Sequence, residues 1–421
     1  MQAALKVYKS YWLSLCLILF TGGVTWGVGL LWKISKEGSF TALPIDEINA
    51  HGLLMIYGWV GLLFMASAYP LLSHFCGITF HRSIPWLVLS FFLAGLALQT
   101  LGLLVCKWLF PIGASFHILA VMLFLLFIYL SYRRAQTKLP TKSAGFFLLF
   151  GLIAFFFSAL FSGIHHWNLL NATHEKSLFA FVATYQAPLR DLQIHGGALF
   201  ILLGITIAFF PNFYGVNPLS EKKGWIAALL LAFGLITEIL FFLLYRLLDL
   251  PRMAALLEIS WLSLFAGCTL IIHSMRLFRQ HKDYFITAAF LWLQLSLILL
   301  LVMPLYLMIS GHAFSHAYYG AIRHAITVGF VSLMMMGITP NILALFGFRA
   351  HLSVVPFLLI NLGCFLRVSL QILTDWHPLF FRWLVVSSFV ELVGLLCWAI
   401  PLTSVLRRHY SSNANQGINL R

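Results

Sequence analysis

Charge is what this chain has least of. Only 9% of its 421 residues are Asp, Glu, Lys or Arg, against 61% hydrophobic and 16% aromatic residues. A soluble domain carries about 25% charged residues, so the chain lacks the polar surface to live in water. Acidic residues are the scarcest, 12 against 26 basic ones, for a net charge of +14. That surplus does not point to nucleic acid as a partner, because the basic residues sit in short segments between alternate apolar runs and form no basic domain. Paired cysteines are missing as well. Cys16, Cys76, Cys106, Cys268, Cys364 and Cys397 stand alone, which excludes a CxxC zinc site, a disulfide framework and CxxCH attachment of a c-type haem. No flavin or nucleotide motif occurs. No small-residue cleavage site follows the first apolar run, so that run, behind Lys6 and Lys9, reads as an uncleaved signal anchor.

What is present is a series of long apolar runs, each near the roughly 20 residues a helix needs to cross a bilayer. They are continuously apolar, where a barrel strand would alternate. The expectation is an all-α membrane protein of twelve transmembrane helices, near 10–32, 49–72, 83–106, 110–132, 144–164, 189–211, 223–248, 254–273, 284–310, 318–340, 351–373 and 379–404. The longest loops, 33–48 and 165–188, are too short for a soluble fold, so residues 1–421 form one integral membrane domain. With the N-terminus inside, 16 Lys and Arg fall on cytoplasmic segments and 9 on outer ones, with Arg367 inside span 11. That bias predicts both termini in the cytoplasm. Histidine runs the other way: ten of 16 fall on the outer side.

Three descending spans share a pattern. Span 2 reads HGLLMIYGWVGLLFMASAYP from His51 to Pro70, span 6 reads HGGALFILLGITIAFFP from His195 to Pro211, and span 10 reads HAITVGFVSLMMMGITP from His324 to Pro340. Each has an outer histidine, glycines in its body and an inner proline. The spacing predicts three four-helix units, 10–132, 144–273 and 284–404, in a pseudo-threefold arrangement, with spans 2, 6 and 10 as a central bundle. The three histidines lie roughly 8–9 Å below the outer boundary at 1.5 Å per residue. An imidazole at that depth needs a partner. Haem iron or copper would supply one, and a hydrogen bond to a neighbouring helix is the plainer alternative. Gly58, Gly61, Gly204 and Gly329 would admit either a flat macrocycle or a close neighbouring helix.

These segments, together with DLQIHGGALFILLGITIAFFPNFYG, HAITVGFVSLMMMGITPNILALFG and the LRVSLQIL run around Arg367, resemble the NnrS family, haem- and copper-containing membrane proteins of the bacterial nitric oxide response. The resemblance implies twelve spans, a bacterial inner-membrane location and protection against nitrosative stress. More distantly the repeat resembles the catalytic subunit of haem–copper oxidases and nitric oxide reductases, where spans 2, 6, 7 and 10 carry the metal histidines. Here span 7 has no histidine and span 10 has only His324, so a full binuclear oxygen-reducing centre is not expected.

The candidate residues follow. His51 and His324 are the first choice for the axial ligands of haem b, by analogy with the oxidases. Arg367, with Arg323 and also Arg190 and Arg382 at similar depth, would receive the haem propionates, since a guanidinium binds a carboxylate through two hydrogen bonds. His195, beside Asp191 and Gln193, is a ligand for copper or a second haem. His312 and His316 are four apart, would share a face if helical, and could complete a copper site. His117 is a reserve ligand, and His165 and His166 stand between ligand and loop histidine. Met334, Met335 and Met336 carry soft thioethers, but three consecutive residues on a helix point three ways, which favours core packing. Glu238 and Glu391 are mid-membrane carboxylates of the kind that mark proton or ion paths. The expected function is a haem-binding protein, with copper as a further option, that binds, senses or detoxifies nitric oxide or a similar diatomic ligand. Any turnover would draw electrons from a quinol or protein donor, and membrane lipid is the other partner. The rivals are a secondary transporter without cofactor, an oxidase- or NO-reductase-like enzyme with a reduced metal set, and a haem-dependent assembly or regulatory factor.

Overall fold

A computed structural model describes residues 2–79, 83–250, 252–279, 283–350 and 352–418, with side chains from residue 3 to residue 407. Arg82, Lys282 and Arg421, the side chain of Arg408, and residue 351 at the expected start of span 11 lie outside that set. The chain is 86% helical, with no strand among the described residues. Twelve helices are long and apolar enough to cross a membrane. They are α1 Ala3–Glu37, α2 Ile45–Cys76, α3 Ile84–Leu104, α4 Leu109–Arg133, α5 Lys142–Leu170 and α6 Glu175–Tyr214. They continue as α7 Glu221–Leu247, α8 Arg252–Ser274, α9 Tyr284–Ser310, α10 His316–Ala344, α11 Val354–Leu373 and α12 Pro378–Arg407.

Hydrocarbon offers the backbone no partner, so the helices must satisfy their own hydrogen bonds and be stopped cleanly at the membrane surface. Two devices do this. At the N-terminus of α5 the Thr141 hydroxyl accepts from the Ala144 amide, and the Glu221 carboxylate, at the start of α7, accepts from the amides of Lys142 and Ser143 at 3.0 and 3.1 Å. At the C-termini of α2 and α6, Gly77 and Gly215 each take φ +64, a left-handed turn that a residue with a Cβ rarely adopts.

One expected loop is helix. The fall in hydropathy predicts a loop over residues 165–188, yet α5 runs to Leu170 and α6 begins at Glu175. The polar stretch Glu175–Arg190 continues α6 outward. At 40 residues the helix is roughly 60 Å long, about twice the hydrocarbon thickness. Hydropathy detects only the part of a helix that lipid touches.

Burial separates the helices into two classes. The apolar stretches of α2, α6 and α10 are 72%, 94% and 78% buried, whereas those of the other nine are 33–56% buried. The three histidine-bearing helices are thus the interior of the bundle. Around them the same partners recur every four helices. α1 packs on α2, α5 on α6 and α9 on α10; α3–α4, α7–α8 and α11–α12 form antiparallel hairpins; α4 meets α5, α8 meets α9 and α12 meets α1.

The glycines of the central helices serve these contacts. A Cβ on Gly58 would meet Ile18 of α1 at 2.6 Å, on Gly61 Phe155 of α5 at 2.7 Å, on Gly204 Leu148 of α5 at 2.8 Å, and on Gly329 Trp292 of α9 at 2.5 Å. Of the two uses left open for them, close helix approach is the one realised. Met334, Met335 and Met336 are all buried, because α10 is enclosed on every side.

Candidate cofactor and metal sites

Each interior helix carries a wide π-helical segment of eight residues beside its histidine: Leu54–Gly61 in α2, Leu192–Leu199 in α6 and Ala325–Ser332 in α10. A fourth, Leu19–Gly23, lies in α1 against the first of these. π-Helical turns are rare and gather at functional sites. Here they mark one level of the bundle, just inward of His51, around His195 and just inward of His324. The structure sorts the polar residues at this level into two clusters.

The first holds His51, His324 and Arg367. His324 Nδ1 donates to the Gly320 carbonyl at 2.8 Å. That bond fixes the proton on Nδ1 and leaves Nε2 as a free acceptor, the arrangement that orients an imidazole for ligation. His51 packs edge-on against Gly27 of α1, where a Cβ would meet its Cε1 at 2.9 Å, and its buried Nδ1 has no hydrogen-bond partner among the described residues. His324 lies within electrostatic range of both His51 and Arg367. Although α2 and α10 are interior helices, His51 and His324 are only partly buried as residues. Arg367 is 7% exposed. Its Nε and Nη1 find no acceptor, the Oε1 of Gln371 one turn further along α11 finds no donor, and the Glu391 Oε1 on α12 is equally alone among the described residues.

The second cluster is built from α6, α7, α8 and α10. Asp191, His195 and Glu238 are buried, and one ligand atom from each lies within 4.8 Å of the others. His195 Nδ1 and Glu238 Oε2 are 2.8 Å apart. Trp261 Nε1 donates to Glu238 Oε1 at 2.9 Å, and the Tyr319 hydroxyl donates to Asp191 Oδ1 at 3.0 Å. The Arg323 guanidinium lies over the Tyr319 ring at 4.3 Å and stands 3.9 Å from Asp191 Oδ1. Arg323, expected among the propionate partners, therefore faces Asp191. Arg190 bonds to neutral acceptors, Gln193 Oε1 at 2.8 Å and Asn49 Oδ1 at 3.5 Å, and stays within electrostatic range of His51 and Arg323.

The remaining histidines are placed as follows. His117 is buried, with Nδ1 3.1 Å from Gln99 Nε2 and its ring edge-on to Tyr57 and Phe92 at 4.4 and 4.8 Å; its Nε2 has no partner. His165 pairs with Gln186 at 2.7 Å, and His166 Nδ1 with the Ser162 carbonyl at 2.8 Å; both are buried helix residues at the end of α5. His312 sits in an exposed loop and His316, also exposed, opens α10 behind the Ser315 cap, so the four-residue spacing does not put them on one helical face. Two members of the second cluster, Trp261 and Tyr319, carry no signal in the sequence, since indole and phenol are common in any membrane helix. Asp191 and His195 do carry one: they are four apart at the head of a long apolar run, which places both on one side of a helix.

No family's sequence pattern matches this chain, and no curated protein matches it.

Proposed function

We propose that this multi-pass protein binds a b-type haem between α2 and α10 in the outer half of a bacterial inner membrane, and that the haem meets nitric oxide or a similar diatomic ligand. The observation that carries the reading is the Arg367 guanidinium, buried in a membrane helix with two unmet N–H groups beside two histidines. A buried guanidinium with N–H groups that make no hydrogen bond is unfavourable in hydrocarbon, even with the Glu391 carboxylate within electrostatic range, so the position suits an anion, and a propionate beside the two imidazoles is an anion of the right kind. His51 and His324 would hold the iron, Arg367 would bind a propionate, and the Gln371 amide Nε2 would donate to the same group. A haem in this place supplies an iron centre that binds diatomic ligands and exchanges single electrons. The protein's own contribution is to fix the His324 tautomer, to exclude water with α1 and α11, and to offset the propionate charge. Reducing equivalents would come from a quinol or a protein donor at the membrane.

The NnrS resemblance and the lysine and arginine bias toward cytoplasmic termini belong to this reading. The packing partners that recur every four helices support a pseudo-threefold ring of three units around α2, α6 and α10. A cofactor-free transporter would need helices broken by irregular backbone near mid-membrane; within the described residues all three central helices continue through that level with only the π-helical widening.

The test is a visible spectrum of the purified full-length protein. A Soret band is expected, abolished or reshaped in His51→Ala and in His324→Ala, and shifted by nitric oxide in the reduced wild type. A folded, monodisperse, colourless preparation that stays colourless after incubation with haemin overturns the proposal.

A further inference from the structure

We propose that Asp191, His195 and Glu238 form a site for one divalent first-row cation, Mn²⁺, Fe²⁺ or Zn²⁺. This site is additional to the histidine–arginine layer and does not depend on it.

Three observations carry the assignment. The donor atoms converge: one from each residue within 4.8 Å of the others, on side chains buried between α6 and α7. A cation bonded to nitrogen and oxygen at about 2.1 Å keeps its ligand atoms roughly 3–3.5 Å apart, so small side-chain rotations close the set. The donors are also oriented from behind. Trp261 Nε1 and the Tyr319 hydroxyl each engage one oxygen of a carboxylate, Glu238 Oε1 and Asp191 Oδ1, leaving Glu238 Oε2 turned to His195 Nδ1 at 2.8 Å. Outer hydrogen bonds of this kind are what hold metal ligands in place. Finally, the charge is uneven. Two carboxylates face one guanidinium, Arg323, whose Nη2 at 3.9 Å from Asp191 lies beyond hydrogen-bonding distance and carries no partner. A cation between the carboxylates would balance them where Arg323 does not reach.

The donor set also selects the ion. Two carboxylates and one imidazole suit borderline and hard divalent ions, and Cu(I) prefers the thiolates and thioethers that this cluster lacks. Copper at His195 with His312 and His316 is therefore replaced by a harder ion with Asp191 and Glu238. Three protein ligands leave at least one coordination position for water or a small ligand, so the ion would be exchangeable.

The experiment is a Mn²⁺ titration of chelator-treated, detergent-purified full-length protein, followed by electron paramagnetic resonance, with zinc content measured on the untreated sample. One saturable site per chain is expected, weakened at least tenfold in Asp191→Asn and in Glu238→Gln. Trp261→Phe, which keeps all three ligands, should weaken it about tenfold through the lost orienting bond. Monodispersity and the thermal midpoint confirm that each variant is folded. Absence of saturable binding in the wild type, or wild-type affinity in either carboxamide variant, overturns the proposal. The visible spectrum of the same samples separates the two readings. Coloured protein that binds no Mn²⁺ removes this site and leaves the haem, whereas colourless protein that binds one Mn²⁺ does the reverse.

Discussion

At one level of this bundle, two groups of buried ionisable side chains meet their surroundings differently. Glu238 has both oxygens engaged, one by His195 and one by Trp261, and Asp191 has the Tyr319 hydroxyl and a distant guanidinium. Arg367, on the other side of α10, has Gln371 and Glu391 nearby and bonds through Nε and Nη1 to neither. The Glu238 cluster is a network whose members hold one another. The Arg367 cluster is a set of donors and acceptors arranged around something the chain does not itself supply. The difference teaches where to look for a ligand: unmet polar atoms inside a membrane cost more than satisfied ones, so they are kept only where another molecule meets them.

The sharpest way to break the comparison is to truncate a satisfied partner. Glu238→Ala leaves the His195 and Trp261 N–H groups buried with nothing to bond, and should destabilise the protein by about 3–5 kcal/mol. Thermal unfolding in detergent reads this as the largest fall in midpoint among the variants considered. A midpoint close to wild type would mean that the network is not holding α6 against α7 and α8.

Arg367→Met tests the other side. In haem-free protein the change removes a charge that has no bonded partner, and should be neutral or stabilising by up to about 2 kcal/mol. In haem-loaded protein the same change should lower the midpoint, so the rise on haem addition shrinks. A destabilised haem-free Arg367→Met would show that Glu391 or the backbone already satisfies the guanidinium, and the two clusters would then be alike.

A packing variant calibrates both. Gly329→Ala places a methyl 2.5 Å from the Trp292 ring, where α9 crosses the π-helical segment of α10. Overpacking of this sort costs about 1–3 kcal/mol. The same thermal scan should place it between the Glu238 and Arg367 variants, with metal and haem binding retained.

The fold was largely legible because the bilayer imposes a single period and length on every element. Twelve apolar runs gave twelve helices, and the repeat of histidine, glycine and proline picked out the three most buried of them. What hydropathy could not see was helix outside the lipid, hence the expected loop at 165–188. The site was legible only by residue type. Equal depth predicts that His51, His195 and His324 meet; His51 and His324 lie within electrostatic range of each other and of Arg367, whereas His195 turns to Glu238, because counting residues sets depth alone. Side-chain partners across helices are set by rotation and tilt, which counting does not give. Arg323 was therefore grouped with Arg367 when it faces Asp191, and Trp261 and Tyr319 went unnoticed. Spacing alone likewise joined His312 to His316, which a helix boundary at Ser315 separates.

The smallest effect is the most useful control, because it holds geometry fixed while changing burial. Lys33 Nζ in the last turns of α1 and Glu47 Oε2 in the first turn of α2 form an ion pair at 2.7 Å, nearly the same distance as His195 to Glu238 at 2.8 Å. Their side chains are 50% and 24% exposed, against 7% and 3% for the buried pair. In water the Coulomb energy at that distance is offset by solvation and by side-chain entropy, so Lys33→Met should cost less than about 1 kcal/mol and respond to salt. Glu238→Ala, by contrast, should be insensitive to salt, because no counter-ion reaches it. If the exposed pair proves as costly as the buried one, burial does not set the scale at this level of the membrane. The argument from Arg367's unmet N–H groups to a missing anion would then lose its physical footing.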